Sequence, residues 1–214
     1  MSAPERDDSR GARISRFGPV AILTIVVIGL AVVLYYPIAM EKFMARYSGV
    51  SHVVEPAFEI QVFAQKYDWH FHYAGPDGVF GATSSSQVAK DNPIGLDAGD
   101  RNAQDDFVTS ELVLPCDINI LLKTHSADVI HTLGDVHGAF RVDAIPGVNT
   151  DGLLETPASP ASGTLRCLTP CGPNHKHHHA PFRFVSETVY ESWFETQLMA
   201  AQAKRPPPSP QPAR

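Results

Sequence analysis

The sequence predicts an all-β sandwich that follows one N-terminal membrane-spanning helix and ends in a short C-terminal helix. An uncharged apolar run comes first, segments alternating with period two follow, and apolar positions at helical spacing come last. The 214 residues, 43% of them hydrophobic, suit one compact domain with flanking segments. We divide the chain into a disordered leader (1–16), a transmembrane helix (17–40), a linker (41–56), the β domain (57–203) and a disordered proline-rich tail (204–214).

The apolar run from Phe17 to Met40 contains no charged residue. It exceeds the roughly 20 residues that a helix needs to cross a bilayer. It is too long for a cleaved signal peptide, and no small-x-small cleavage site follows it. Four arginines precede the run, whereas only Lys42 and Arg46 follow closely, so we expect a cytoplasmic N-terminus in a bacterial inner membrane and a periplasmic β domain. The net charge of −6 argues against a nucleic-acid partner and is compatible with a basic protein partner.

The β domain begins with two alternating segments. Residues 58–63 alternate apolar with mostly polar side chains, and residues 67–73 carry aromatic side chains on one face and polar ones on the other. We predict further strands at Glu111–Pro115, Ile118–Lys123, Val129–Thr132, Phe140–Val142 and Phe182–Ser186.

Residues 82–106 are rich in Ser, Gly, Asp and Asn and are predicted to form a long loop. Its aspartates miss the spacing of a calcium-binding loop, so we expect them to be solvated: Asp97, Asp100, Asp105 and Asp106. After Ser186, a plausible N-cap, an apolar stripe at helical spacing is expected to pack on the domain: Val189, Trp193, Phe194 and Met199.

A loop with two cysteines and several histidines provides candidate metal ligands. Cys167 and Cys171 lie four residues apart, and His175 follows four residues later. Thiolates and imidazoles favour copper, zinc or an iron–sulfur cluster over cations that prefer oxygen ligands. The spacing differs from the C-x2-C pair of structural zinc sites, and His131 is a candidate for a further ligand.

Other cysteines and histidines have simpler interpretations. Cys116 is predicted to be a buried small apolar residue. Five histidines show no metal-ligand spacing and are expected at the surface or in packing contacts: His52, His70, His72, His125 and His137. A Cys167–Cys171 disulfide is the alternative to a metal site, but it would leave His131 and His175 unexplained.

Together these motifs resemble subunit II of the haem–copper respiratory oxidases, which carries a binuclear copper centre called CuA. The resemblance extends from about Phe58 to Trp193 and rests on Lys66–Tyr73, Asp128–His131, Asp143–Gly147, Cys167–His175 and Val185–Trp193. It implies a cupredoxin-like Greek-key sandwich on a membrane anchor. The family commonly has two transmembrane helices, whereas this chain shows one.

The resemblance implies a ligand set. Cys167 and Cys171 would bridge two copper ions, His131 and His175 would each bind one of them, and the carbonyl of Thr169 would be a weak ligand. Bridging thiolates on a rigid β framework let two metals share one electron with little change of geometry, which suits fast electron transfer.

Three positions depart from the family pattern. His178 stands where the family has an axial methionine, and it either binds copper or belongs to a solvated histidine run. Thr169 stands where the family usually has the glutamate that reaches a magnesium ion, so magnesium is not carried over. Tyr67 replaces the first tryptophan of the aromatic strand, where electrons arrive from cytochrome c, while Trp69 remains.

We therefore expect an electron-transfer subunit of cytochrome c oxidase, an oxidoreductase and proton translocase whose oxygen-reducing site lies in another chain. It would accept electrons from cytochrome c or a small copper protein near Trp69 and Tyr67, and pass them through the copper centre to a haem in subunit I. A copper-containing nitric oxide reductase subunit is a related alternative. A membrane-anchored Sco-type copper chaperone or thiol–disulfide protein is the alternative from another class, but it would need a thioredoxin-like α/β fold.

Overall fold

The computed structural model describes residues 18–47, 56–135 and 140–204. The chain divides into two compact units, residues 1–53 and residues 54–214. The first contains helix α1 (Gly18–Tyr47), whose large apolar side chains between Ile22 and Tyr36 are exposed. Within the described residues, no helix meets the length and hydropathy required of a membrane span. The predicted leader, residues 205–214 of the predicted tail, His52 and His137 lie outside the described residues.

The described residues of the second unit form ten strands and a C-terminal helix, with short 3₁₀ turns between them. In chain order they are β1 (Phe58–Gln65), β2 (Asp68–Tyr73), β3 (Phe107–Thr109), β4 (Leu112–Pro115), β5 (Asn119–Ser126), β6 (His131–Gly134), β7 (Arg141–Ala144), β8 (Thr150–Glu155), β9 (Ala161–Cys167), β10 (His179–Val185) and α2 (Glu187–Lys204). They build two five-stranded sheets, with strand orders β3-β2-β1-β5-β8 and β4-β10-β9-β6-β7. The predicted all-β sandwich with a short C-terminal helix is therefore confirmed.

The alternating segments bury one face of the first sheet. In β2, Trp69, Phe71 and Tyr73 are almost completely buried, and in β1 so are Ile60 and Val62. Strand β1 pairs antiparallel with β2 and parallel with β5. Because successive side chains of a strand point to opposite faces, the aromatic alternation in the sequence places these rings in the core between the sheets.

A tyrosine hydroxyl connects the two sheets. Tyr73, in β2, donates to the carbonyl oxygen of Val113 (3.0 Å) and accepts from the Val113 N–H (2.9 Å). Val113 lies in β4, which is the edge strand of the second sheet. The hydroxyl therefore satisfies backbone groups that a buried sheet edge would otherwise leave without partners.

We expect Tyr73→Phe to lower the free energy of unfolding by about 1–3 kcal/mol. The variant leaves the buried N–H and C=O of Val113 without their hydrogen-bond partner, while the ring still fills the same space. Denaturant unfolding of the metal-free full-length chain measures this. Tyr190→Phe, a hydroxyl deletion on α2, is the matched control and should cost less. Equal stability of Tyr73→Phe and the native chain would contradict the assigned role.

Helix α2 packs through aromatic rings, but not through every residue of the predicted stripe. Trp193 lies edge-on to Tyr73 (5.3 Å between ring centroids), and Phe194 lies edge-on to Phe107 (5.0 Å). The prediction was wrong for Val189 and Met199, which are exposed. Positions packed against the core instead of these two are Tyr190, Leu198 and Ala201. The face of α2 that packs against the core therefore carries Tyr190, Trp193, Phe194, Leu198 and Ala201.

The loop between β2 and β3 includes two short 3₁₀ turns, Ser85–Gln87 and Asn102–Gln104. The expected solvation of its aspartates was wrong for Asp106, which is fully buried. Its carboxylate lies 2.6 Å from Nε2 of the equally buried His72 and accepts the backbone N–H groups of Gly75 (3.2 Å) and Gly81 (2.7 Å). Asp106 therefore fixes the start of the long loop against β2.

Candidate metal centre

The predicted ligands lie where three segments of the second sheet meet. Strand β6 begins at His131 and β9 ends at Cys167. The chain then passes through Cys171 and a 3₁₀ turn at His175–His177 before β10 begins at His179. The Cys167 N–H donates to the carbonyl of His178 (2.9 Å). The Leu168 N–H donates to the carbonyl of Thr132 (2.8 Å), so backbone pairing also holds the cysteine loop against β6, which carries His131.

Four donor side chains converge into one buried cluster. One donor atom each from His131, Cys167, Cys171 and His178 lies within 4.8 Å of every other, and all four residues are buried. Nδ1 of His131 is 3.9 Å from Sγ of Cys167, and Nδ1 of His178 is 3.5 Å from Sγ of Cys171. All three cysteines are free. Two sulfurs and two imidazoles make a donor set for a soft or borderline metal ion such as copper or zinc.

His175 belongs to the rim of the site. Its Nδ1 lies 3.6 Å from Sγ of Cys171, and the residue is half-buried. Nearby, Gly172 adopts φ of +146°, and a Cβ there would lie 2.5 Å from the hydroxyl of Tyr67. Glycine at this position therefore lets the cysteine loop approach Tyr67 closely.

The backbone carbonyl and the side-chain hydroxyl of Thr169 both make contacts near the metal site. The carbonyl oxygen is 3.2 Å from Sγ of Cys167, on the donor side of the loop. The hydroxyl lies 2.5 Å from that of Thr132, which donates to the carboxylate of Asp143 at 2.8 Å. This chain of hydrogen bonds fixes the segment between the two cysteines to β6 and β7.

His131 is oriented by a carboxylate that we had not singled out as a site residue. Its Nε2 lies 2.7 Å from Oδ1 of Asp128, so Nε2 carries the proton and Nδ1 faces Cys167. Asp128 is itself held by the N–H groups of Lys66 (2.9 Å) and Val129 (2.6 Å). The signal in the sequence was a carboxylate three residues before a candidate ligand histidine.

We expect Asp128→Asn to weaken metal binding by about 10–100-fold, the usual cost of losing an outer partner of a ligating histidine. A competition titration of the full-length chain with Zn²⁺ and a chelator measures the dissociation constant. Asp151→Asn, which removes an exposed carboxylate elsewhere, is the control and should change little. An unchanged affinity in Asp128→Asn would show that the hydrogen bond does not support the site.

The surroundings shift the pKa values of the two cysteine thiols in opposite directions. Burial raises the pKa of Cys167, but its contacts with the imidazoles of His131 and His178 and with the backbone outweigh burial and lower that pKa to about 4. Burial, followed by the neighbouring Cys167, raises the pKa of Cys171. Because the thiolate is the form that binds a metal ion, the lowered pKa favours Cys167 as a ligand.

Cys116 and the remaining histidines lie outside this cluster. The prediction that Cys116 is buried was wrong, since it is half-buried just after the edge strand β4. His72 packs in the buried pair described above, and His125 stacks on Phe63 at 4.8 Å. His70 is hydrogen-bonded to Gln65 at 2.9 Å. None of these three histidines belongs to the donor cluster, and His72 and His125 make packing contacts.

Comparisons with known proteins support the family resemblance. The chain is 28% identical over 143 residues to the alternative cytochrome c oxidase subunit 2 of Bradyrhizobium diazoefficiens, covering 66% of this chain and 51% of that protein. It is 27% identical over 160 residues to cytochrome c oxidase subunit 2 of Oenothera berteroana, and this match covers 73% of this chain and 59% of that protein. The chain thus spans about half the length of these relatives. No protein-family model matches it.

A solved structure supports the fold. The periplasmic domain of subunit II of the cytochrome oxidase of Bradyrhizobium japonicum aligns with a TM-score of 0.50 at 23% identity, covering 70% of this chain and 99% of that one. The cupredoxin-like architecture is confirmed. A Sco-type protein would instead interleave strands with helices in one layered sheet, and the described part of residues 56–204 forms two facing β-sheets.

Proposed function

The chain is related to subunit II of the cytochrome c oxidases, as its sequence predicted, and we propose that it is the subunit through which electrons enter such an oxidase. It accepts electrons from cytochrome c or a small copper protein and passes them to a haem in subunit I, where oxygen is reduced. The observation that carries this proposal is the convergence of four buried His and Cys donors on a cupredoxin-like sandwich.

Copper fits the residues that are present. His131, Cys167, Cys171 and His175 would hold two copper ions, with the Thr169 carbonyl as a weak further ligand. When bound, such a pair supplies a centre that takes up and releases one electron. The protein contributes a rigid frame, because β6, β9 and β10 are joined by backbone hydrogen bonds on both sides of the cysteine loop. A frame that does not move keeps the reorganisation accompanying electron transfer small.

Electrons would reach the site through the start of β2. The ring of Trp69 stacks on His178 with centroids 4.5 Å apart and lies edge-on to His131 at 5.9 Å. Tyr67 is half-buried and lies edge-on to His178 at 6.2 Å. The exposed Asp68 lies between them in sequence. An aromatic path with a nearby acidic side chain suits a basic donor protein.

The proposed location follows from the first unit of the chain and from the relatives. Helix α1 exposes a continuous apolar surface from Ile22 to Tyr36. We propose that residues 17–40 cross the inner membrane once, with the N-terminus in the cytoplasm and the copper-binding domain in the periplasm. This arrangement puts the metal centre on the side where soluble electron donors are found.

Rapid mixing of the oxidised, copper-loaded full-length chain with reduced cytochrome c tests the proposal. We expect reduction of the copper centre that slows at high ionic strength, because the encounter is electrostatically steered. Trp69→Phe should slow the reduction, whereas Trp193→Phe, the other tryptophan, should not. No electron transfer from cytochrome c or from a small copper protein would contradict the proposed function.

A further inference from the structure

An apolar groove of about 1080 Å³ lies between the start of β1, the loop after β2 and the first three turns of α2. Five aromatic residues line this aromatic groove: Phe58, Tyr73, Phe80, Tyr190 and Phe194. We propose that the proline-rich segment 205–214 of the same chain docks in the aromatic groove as an extended polyproline II strand. The inference does not rest on the proposed function, since none of the candidate metal ligands lines the groove.

The described part of the chain leaves the rings of the aromatic groove partly uncovered. Phe58, Phe80, Tyr190 and Phe194 are each half-buried. Phe58 stacks on Tyr190 with ring centroids 5.9 Å apart at an interplanar angle of 25°, and Tyr190 lies 5.9 Å from Phe194 at 43°. These rings support one another and form an apolar wall. Covering that wall removes apolar surface from water, which favours docking.

The sequence after α2 has the composition that an aromatic wall binds. Five of the ten residues from 205 to 214 are prolines, and Pro207–Pro210 matches the pattern P-x-x-P. Proline-rich sequences favour polyproline II, and aromatic-lined grooves recognise this conformation. Because polyproline II is preformed, docking loses little conformational entropy. The segment therefore needs no fold of its own to bind.

Charge favours this segment over an uncharged apolar one. Glu191 and Glu195 are exposed at the rim of the aromatic groove, about one turn apart on α2. Within residues 56–135 and 140–204, neither carboxylate takes part in an ion pair. The segment carries Arg205 at its first position and Arg214 at its tenth. An acidic rim and a basic segment are electrostatically complementary, which sets partner choice and orientation.

The segment is long enough to cover the aromatic groove. Helix α2 ends at Lys204, and the groove extends back along it from Leu198 to Tyr190. At 1.5 Å per residue, Tyr190 lies about 21 Å from Lys204 along the helix axis. Ten residues of polyproline II span about 31 Å. A chain that turns back after Lys204 therefore reaches every part of the groove, at the roughly millimolar local concentration of a tethered ligand.

Photocross-linking of the full-length chain in detergent tests this inference. A benzophenone amino acid replaces Leu198, which lines the groove, or Val189, which is exposed on α2 outside it. Mass spectrometry of the digest then identifies the residues that the probe has attached to. We expect the probe at 198 to join residues 205–214 at least about five-fold more than the probe at 189, because tethering concentrates the segment at the groove. A second probe at Pro76, an exposed lining residue in the loop after β2, should give the same product.

Charge reversal separates docking from mere proximity of the segment to α2. Glu191→Lys combined with Glu195→Lys should lower the yield of the product at 198 by roughly three-fold or more, since two exposed attractions become repulsions. Adding Arg205→Glu and Arg214→Glu to this variant should restore the yield. A restored yield requires that the segment and the rim contact each other, because each set of reversals alone weakens the contact.

The matched control is Asp151→Lys combined with Glu155→Lys, which introduces the same charges at exposed positions of β8 and should leave the yield unchanged. Mixing chains that carry different nitrogen isotopes shows whether a product joins one chain or two. Attachment to residues 48–55, products that join two chains, or no excess over the probe at 189 would overturn the inference. Equal losses in the rim variant and the control would also overturn it. None of these readouts depends on copper, so the proposed function stands or falls separately.

Discussion

We expect Cys167→Ser to abolish the two-copper centre and to reduce copper affinity by more than the 10–100-fold that loss of an outer partner costs. The Cys167 sulfur lies near His131 and the Thr169 carbonyl, and its surroundings lower its pKa despite burial, which favours the thiolate as a bridging ligand. A serine hydroxyl is a harder donor and stays protonated, so it cannot bridge two copper ions.

Copper quantification together with the electron paramagnetic resonance spectrum of the full-length variant measures this effect. Cys116→Ser is the matched control, because Cys116 is free, half-buried and outside the donor cluster. The control should keep both copper content and spectrum. A Cys167→Ser protein that retains two coppers with a shared electron would show that the bridging ligands have been assigned wrongly.

We expect Asp106→Ala to lower the free energy of unfolding by about 3–5 kcal/mol, because each buried donor that loses its acceptor costs about 1–3 kcal/mol. The carboxylate accepts from His72, Gly75 and Gly81, and both Asp106 and His72 are fully buried. Its loss leaves those buried donors without their acceptor. For a chain of this size the melting temperature should fall by roughly 6–20 °C.

Thermal unfolding of the metal-free chain measures the change without any contribution from bound metal. Asp105→Ala is the control, since it deletes the neighbouring carboxylate, whose contact with the Asp77 N–H is long at 3.5 Å. We expect the control to stay within about 1 kcal/mol of the native chain. Similar losses in the two variants would contradict the special role of Asp106.

Part of the fold could be predicted from the sequence, because strands that bury one face have alternating apolar and polar residues. The aromatic alternation of β2 appears in the sequence since Trp69, Phe71 and Tyr73 fill the core. Strands β8 and β9 gave no such signal, because nearly all of their residues are exposed or half-buried, and only backbone pairing with β5, β6 and β10 defines them. Strand β3 has three residues, too few for a pattern to be recognised.

The ligand types could be predicted, whereas their partners could not. Cysteine and histidine spacing identified the cluster, but the carbonyl of Asp68 that orients His178 is 110 residues away in sequence. The same holds for Asp106, whose acidic surroundings suggested solvation, while its histidine partner lies 34 residues upstream. Burial and tautomer are set by tertiary contacts, and these decide whether a polar residue is solvated or structural.

The most direct test of the central claim is the electron paramagnetic resonance spectrum of the full-length chain after copper loading, recorded together with its copper content. The proposed function predicts two coppers per chain and one unpaired electron whose hyperfine pattern shows coupling to both copper nuclei. Coupling to a single copper, or a copper-loaded protein that remains silent after mild oxidation, would contradict it.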